Sequence, residues 1–441
     1  MVFEHFESLY PDTVSSPEIS QMMQYIKEGT SCQLIGIPGV GRSTLLGLLA
    51  YNKSLRTKHL GKDQESYHFV IVNFSEIRKR PLVDAIKFIF LSLSESLRDR
   101  ALDESYLSIN ALFKESLGFA DELVLFQGLK QAVAYLALEK KLKIVFLFDR
   151  FEEYVPTVSD EFFINLRTLR SRAKFHFSVI FSLTRPLETV LDPTLLADFY
   201  EFVAGHIVYQ QLSDNPTTQF RIGYLEKITH KKLPPAVYRQ VQELTGGHGK
   251  LMKLSVESLF AHEEVSGDIA GFLLEHRAIQ AALSEIWNSL SPAEQADIRE
   301  EKFEDSGVLE YLEQVGLVRG NHVQIPLLTL FLKKEAISVA EREQIVYDDN
   351  TNSIRKGETI LSDHLTSSEF RLLRYFLLNQ DRIIDREELI AVVWEEMKST
   401  AGITDQAVDQ LVFRLRRKIE EDANQPTHLL TVKGRGFRFV S

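Results

Sequence analysis

CQLIGIPGVGRSTLLGLLA, residues 32–50, sets the architecture of the first half of the chain. A short apolar run meets a glycine-rich turn, and an apolar helical pattern follows from about Arg42. Within it, GIPGVGRST has the spacing of a phosphate-binding loop. Gly36, Gly39 and Gly41 free the backbone on either side of Val40 to point N–H groups at an anion, while Ser43 and Thr44 bring hydroxyls to the helix start. Ser43 is the expected Mg²⁺ ligand. Arg42 stands where such a loop carries lysine, keeping the charge in a planar fork that suits binding better than transition-state placement. The competing reading of the loop alone is a tight strand-to-helix turn with no ligand.

Working outward, FVIVNF around Val70 to Phe74, KIVFLFD at Lys143–Asp149 and FSVIFSLT at Phe177–Thr184 are continuous apolar runs separated by helical stretches. That alternation predicts a parallel sheet covered on both faces. Asp149, at the end of such a strand, is placed to hold Mg²⁺ through water. Arg150 follows it where many ATPases carry a water-activating glutamate, so Glu152 or Glu153 would have to turn back toward the site. Glu152 is the catalytic candidate; first-turn glutamates stabilising a helix dipole are the alternative. Thr184 and Arg185 end the next strand, where open α/β sheets bind ligands and where an arginine can grip a terminal phosphate; a surface arginine in a loop is the alternative. Further on, LTGGHGKLMKL at residues 244–254 joins two helices, with His248 and Lys250 candidates to face a nucleotide.

Taken in order, Gly36–Leu46, Asp149, Thr184-Arg185 and Thr245–Gly249 resemble the STAND class of signalling P-loop ATPases, relatives of the AAA+ and origin-recognition ATPases. The resemblance spans roughly residues 15–338. It implies ATP/ADP and Mg²⁺ as cofactors and a switch between closed and open arrangements of core, lid and winged helix. Arg42, Arg150 and Gly249, the last where a proline is usual, depart from the pattern. The chain therefore stands between a slow ATPase and a switch that does not turn over.

The C-terminal segments are AVDQLVFRLRRKIEED, residues 407–422, and LLTVKGRGFRFV, residues 429–440. Val408, Leu411, Val412, Leu415 and Ile419 form the apolar stripe of a helix, leaving Gln406, Gln410, Phe413, Arg414 and Arg417 on the other face. A basic helix followed by a glycine-punctuated basic hairpin suits a DNA groove and its flanking phosphates. With LTSSEFRLLRYFLLNQDRIIDREELIAVVW at residues 365–394, these segments resemble the winged helix-turn-helix effector domain of OmpR/PhoB-type response regulators. By matching positions, Gln406, Gln410, Phe413 and Arg414 would approach bases or phosphates, Arg416 and Arg417 the backbone, and Lys433 the minor groove with Arg435 beside it. Gln406 departs from the arginine usual there. A solvated basic face is the bland alternative. Upstream, the recognition-helix candidate DSGVLEYLEQVGL carries Asp305, Glu310 and Glu313, which phosphates would repel.

The 441 residues carry a net charge of −11, so affinity for nucleic acid must come from local clusters. One cysteine, Cys32, excludes a disulfide framework or a Cys-rich metal site. No apolar run approaches membrane-spanning length, which favours a cytoplasmic protein without a membrane partner. The expected fold is multidomain: an α/β P-loop NTPase core (1–205), a helical lid (206–270), a middle winged helix (271–340) and a C-terminal α+β OmpR-type winged helix (345–441). The expected function is an ATP/ADP-responsive, DNA-binding transcriptional regulator. Double-stranded DNA is its partner, and a homo-oligomer is left open. The alternatives are a DNA-remodelling or loading ATPase of origin-recognition or transposition type, a DNA-binding protein with a degenerate P-loop scaffold, and a nucleotide-gated defence sensor.

Overall fold

The computed structural model describes residues 5–11, 14, 17–118, 121–212, 216–262, 267–303, 306–349, 351–357, 359–394 and 404–440. The chain divides into two compact units, Met1–Phe331 and Leu332–Ser441.

In the first unit, β1 (Cys32–Ile35), β2 (Tyr67–Asn73), β3 (Lys143–Asp149), β4 (Phe177–Leu183) and β5 (Ile207–Tyr209) form one parallel sheet in the order β2-β3-β4-β1-β5. The apolar runs expected from the sequence supply four of these strands. β5 also joins the sheet, carrying the core past residue 205; at three residues it is too short to show a periodicity. β4 is buried along its whole length, as a strand covered on both faces must be. Helices α1 (Pro17–Lys27), α2 (Arg42–Tyr51) and α3 (Lys53–Leu60) precede β2, and α4 (Leu82–Asp99), α5 (Asp103–Leu117) and α6 (Glu122–Ala134) lie between β2 and β3. α7 (Asp160–Ala173), α8 (Leu187–Val190) and α9 (Pro193–Leu196) complete this layer. Around the end of β3, Phe74, Phe148, Phe151 and Phe162 pack edge-to-face or tilted except for the stacked pair Phe148–Phe151, with Phe151 wholly buried beside Asp149.

The lid is α10 (Pro216–Thr229), α11 (Pro235–Thr245) and α12 (Gly249–Ala261). α11 stops at Gly246 in the left-handed conformation (φ 57°), where an added Cβ would lie 1.9 Å from the Gln324 carbonyl oxygen. The middle segment holds α13 (Ile269–Leu274), α14 (Arg277–Asn288), α15 (Pro292–Glu300), α16 (Ser306–Gln314) and the hairpin β6 (Val318–Arg319)–β7 (His322–Val323), before α17 (Pro326–Glu343). α15 opens with a capping box between Ser291 and Glu294, with Pro292 at the first helical position. In α16, Tyr311 and Leu312 are buried while Glu310 and Glu313 are exposed. Asp305 lies outside the described residues. The apolar side of this helix is thus spent on packing inside the unit.

The second unit takes in the C-terminal part of α17 and then an antiparallel sheet of β8 (Ile345–Asp348), β9 (Ser353–Lys356) and β10 (Thr359–Ile360). Next come α18 (Ser367–Leu378), which starts at a Thr366/Glu369 capping box, then β11 (Ile383–Ile384) and α19 (Arg386–Val393). Last are α20 (Asp405–Ile419) and the hairpin β12 (Leu429–Val432)–β13 (Gly436–Phe439). β13 pairs with both β11 and β12. The predicted stripe of α20 is buried with Phe376, Ile384, Phe437 and Phe439 in this unit's core. Gly436 has φ 121°, and a Cβ there would meet the Ile384 carbonyl oxygen at 2.1 Å, so only glycine lets the hairpin close onto β11.

Candidate functional site

The glycine-rich loop at residues 36–41 forms where β1, lying between the central strand β4 and the edge strand β5, ends and α2 begins. Gly39 (φ 78°) and Gly41 (φ 123°) take backbone conformations that side chains rarely adopt. The loop is braced from two sides. Gln210, after β5, donates from its backbone N–H to the Ile35 carbonyl (2.7 Å) and from its side chain to the Val40 carbonyl (3.4 Å). From the lid, the Lys250 N–H donates to the Gly39 carbonyl at 3.0 Å.

Beside the loop lies a cavity of about 780 Å³. Gly39, Val40, Gly41, Arg42, Ser43, Thr44, Glu152 and Thr184 all line it, with Gly36 and Asp149 set behind them. Sequence reasoning missed Tyr10, Arg221, Ile222 and Lys253, which also line it. Arg221 and Lys253 offered only a basic charge on helices whose approach to the core no motif encodes, and Tyr10 and Ile222 offered no signal. Five cations, Arg42, Arg150, Arg221, Lys250 and Lys253, face three carboxylates, Glu152, Glu153 and Glu285. Such a cavity suits a polyanion with a partly apolar body.

Within it, Ser43 Oγ donates to Asp149 Oδ1 at 3.0 Å, bringing together the two expected Mg²⁺ ligands. Burial raises the Asp149 carboxyl above its ordinary range, opposed by the Ser43 bond and the Arg42 and Arg150 charges. A hard dication between these oxygens would favour the ionised form, so the donor set fits Mg²⁺. Arg42 is turned to Glu152, with guanidinium contacts of 2.7 and 3.5 Å. Glu153 pairs with Arg78 at 2.8 Å. Both candidate bases are thus held by arginines, and Arg150, left-handed at φ 52°, occupies the position directly after Asp149.

Arg185 does not face the cavity. Its guanidinium makes a bidentate pair with Glu294 at the start of α15 (Nη1 at 2.7 Å), donates to the Ser289 carbonyl (3.2 Å) and lies 3.6 Å from the centre of the Tyr311 ring. The Tyr311 hydroxyl donates to the Thr184 carbonyl at 2.7 Å. Burial opposes the Arg185 charge, but the Glu294 bonds outweigh it and raise the pKa. The position expected to sense a phosphate is therefore the docking point of the middle segment.

His248 is also not where the sequence suggested. It sits fully buried behind the loop, capping α12: Nδ1 accepts from the Leu251 N–H (3.2 Å), which leaves Nε2 as donor to the Pro38 carbonyl (2.8 Å). Burial lowers its pKa to about 4. A neutral, doubly bonded imidazole fastens lid to loop and has no nitrogen left for a ligand.

In the second unit, Gln406, Gln410, Phe413, Arg414 and Arg417 are all exposed along α20, and Lys433 and Arg435 are exposed at the hairpin turn. Arg416 differs from expectation. Its Nε and Nη2 donate to the Leu429 carbonyl (2.9 and 2.6 Å), and Nη2 also to Thr431 Oγ1 (2.8 Å). It ties helix to hairpin, its Nε and Nη2 donors engaged by β12.

Among curated proteins, the chain is similar to the transcriptional regulatory protein KdpE of Mycobacterium tuberculosis, 32% identical over 107 residues, covering 23% of this chain and 46% of that one. It is similar to the sensory transduction protein RegX3 of Mycolicibacterium smegmatis, 43% identical over 74 residues, 17% of this chain and 31% of that one. The chain thus spans less than half the length of these relatives. Among solved structures it is similar to a Walker-type ATPase of Pyrococcus abyssi (16% identity, 75% of this chain and 100% of that one, TM-score 0.46). A second is the RstA DNA-binding domain of Klebsiella pneumoniae in complex with the RstA box (23% identity, 22% and 89%, TM-score 0.19). Residues 362–439 match the family described as "Transcriptional regulatory protein, C terminal", and the chain joins an α/β core with a glycine-rich strand-to-helix loop to a C-terminal winged helix of that family's type.

Proposed function

We propose that this protein is a cytoplasmic transcriptional regulator in which ATP or ADP, bound with Mg²⁺ in the first unit, controls how the C-terminal winged helix engages double-stranded DNA. One observation carries the reading: Arg185, beside the cavity residue Thr184, is held by Glu294 of the middle segment. A terminal phosphate and Glu294 present the same chemistry to one guanidinium, so they are rivals for it. The phosphate chain would lie along Gly39–Thr44 with Arg42 and Lys250 beside it, and Ser43 and Asp149 would hold Mg²⁺.

A regulator with slow or no turnover is favoured over a DNA-remodelling ATPase by Glu152 and Glu153, each committed to an arginine, and by Arg150 in the place of a base. The test uses full-length protein and duplex DNA titrated with ATP–Mg²⁺, ADP–Mg²⁺ and no nucleotide, with mass measured alongside for self-association. DNA affinity should differ at least fivefold between two of these states, the low end of ordinary allosteric coupling. Equal affinity and equal mass in all three would leave the P-loop unit as a scaffold.

A further inference from the structure

The exposed stripe of α20 is polar or cationic at four positions, Gln406, Gln410, Arg414 and Arg417. The fifth, Phe413, is 45% exposed and lies outside the second unit's core. Leaving a phenyl ring half in water forgoes burial worth roughly 25 cal/mol per Å², so the fold itself gives no reason for it. Phe413 forms one wall of a shallow depression whose other walls are Asp409, Gln410 and Arg414. The acid does not spoil this surface for DNA, because Arg386 holds Asp409 at 2.8 Å from within the unit. What remains is an apolar wall flanked by an amide and a guanidinium, on a helix with basic neighbours.

Among the base edges of the major groove, the thymine 5-methyl is the one apolar group; the others offer donors and acceptors. We propose that Phe413 is a specificity-determining residue that reads a thymine methyl in the major groove of duplex DNA. This rests on α20 being the helix that enters the groove. The amide of Gln410, one turn earlier, is suited to an adenine edge, so operators should carry an A·T-containing step under this part of the helix. The exposed Arg414, Arg417, Lys433 and Arg435 favour a polyanion over an apolar protein partner at this surface.

The test selects sites for the full-length chain from a random duplex library and then replaces each thymine in turn by deoxyuridine, which removes only the methyl. At one thymine the affinity should fall about fourfold, equivalent to ~0.8 kcal/mol, one buried methyl. Phe413→Ala should weaken binding and make that same replacement silent, whereas Phe413→Leu should keep part of the penalty. An equal penalty in wild type and Phe413→Ala, or an enriched site indifferent to every methyl, overturns the proposal alone. Loss of self-association in Phe413→Ala with the deoxyuridine penalty intact overturns it in favour of a protein contact. Failure to enrich any site removes the DNA-reading role of α20 and this proposal with it.

Discussion

Replacing Glu294 by glutamine should shift nucleotide preference without unfolding the chain. The carboxylate accepts from Arg185 through both oxygens and from the Ser291 N–H at 2.8 Å. Glutamine keeps one carbonyl oxygen for the cap but turns an NH₂ group toward a guanidinium that has only donors. The structure thus loses one charge-assisted bond, worth about 1.5–3 kcal/mol. Taking ~2 kcal/mol, the equilibrium between held and released Arg185 moves about 30-fold toward release. If a terminal phosphate competes for Arg185, ATP binding gains up to that factor while ADP gains little. Calorimetric titration of ATP–Mg²⁺ and ADP–Mg²⁺ into wild type, Glu294→Gln and Arg185→Gln reads this directly. The ATP:ADP affinity ratio should rise about tenfold or more in Glu294→Gln and fall toward one in Arg185→Gln. An unchanged ratio in a folded Glu294→Gln protein would refute the competition and leave the pair as packing between core and middle segment.

Two further outcomes concern particular side chains. Because the folded pKa of His248 is depressed to about 4 against an unfolded value near 6.5, the unfolded chain takes up the extra proton first as pH falls. Stability is then fully present above about pH 6.5 and should drop by about 3 kcal/mol on the way to pH 4. Hydrogen exchange at the Leu251 amide should show this slope in wild type and lose it in His248→Asn; an identical slope in both would place the titration elsewhere, His68 being the other deeply depressed imidazole at about 3. In the second unit, Arg416→Ala should cost about 1.5–3 kcal/mol of stability, seen in urea midpoints, and leave the salt dependence of DNA binding unchanged. Arg417→Ala should do the reverse, lowering the slope of log K against log salt by about 0.9 with little loss of stability; the opposite assignment would show that Arg416 leaves Leu429 on binding.

What the sequence made legible was local. Continuous apolar runs at 143–149 and 177–184 marked buried strands, and the stripe from Val408 to Ile419 marked the buried face of α20. Phosphate-loop spacing brought the residues at 39–44 to one cavity, because a short turn determines its own geometry. What stayed hidden depends on distant chain. Arg185 and Glu294 are 109 residues apart, Arg42 and Glu152 110, and neither pairing has a periodic signature. His248 was read as facing a ligand because spacing does not tell from which side a lid helix meets a loop. The matching positions of the OmpR/PhoB-type pattern put Arg416 toward the DNA backbone; that a hairpin carbonyl lies within its reach is a fact of tertiary structure.

Closure at Gly436 fixes the hairpin before it could meet DNA. A hairpin pinned by its backbone to β11, and tied to α20 through Arg416, has already lost its conformational freedom when the chain folds. Ordering a free loop on binding would cost about 1 kcal/mol or more per residue, and that cost is absent here. Lys433 and the residues of α20 should therefore behave as one rigid caliper of set opening. Such a device rewards duplexes whose groove widths match it and penalises those that must bend to fit, so part of its selectivity would lie in DNA shape at base pairs it never touches.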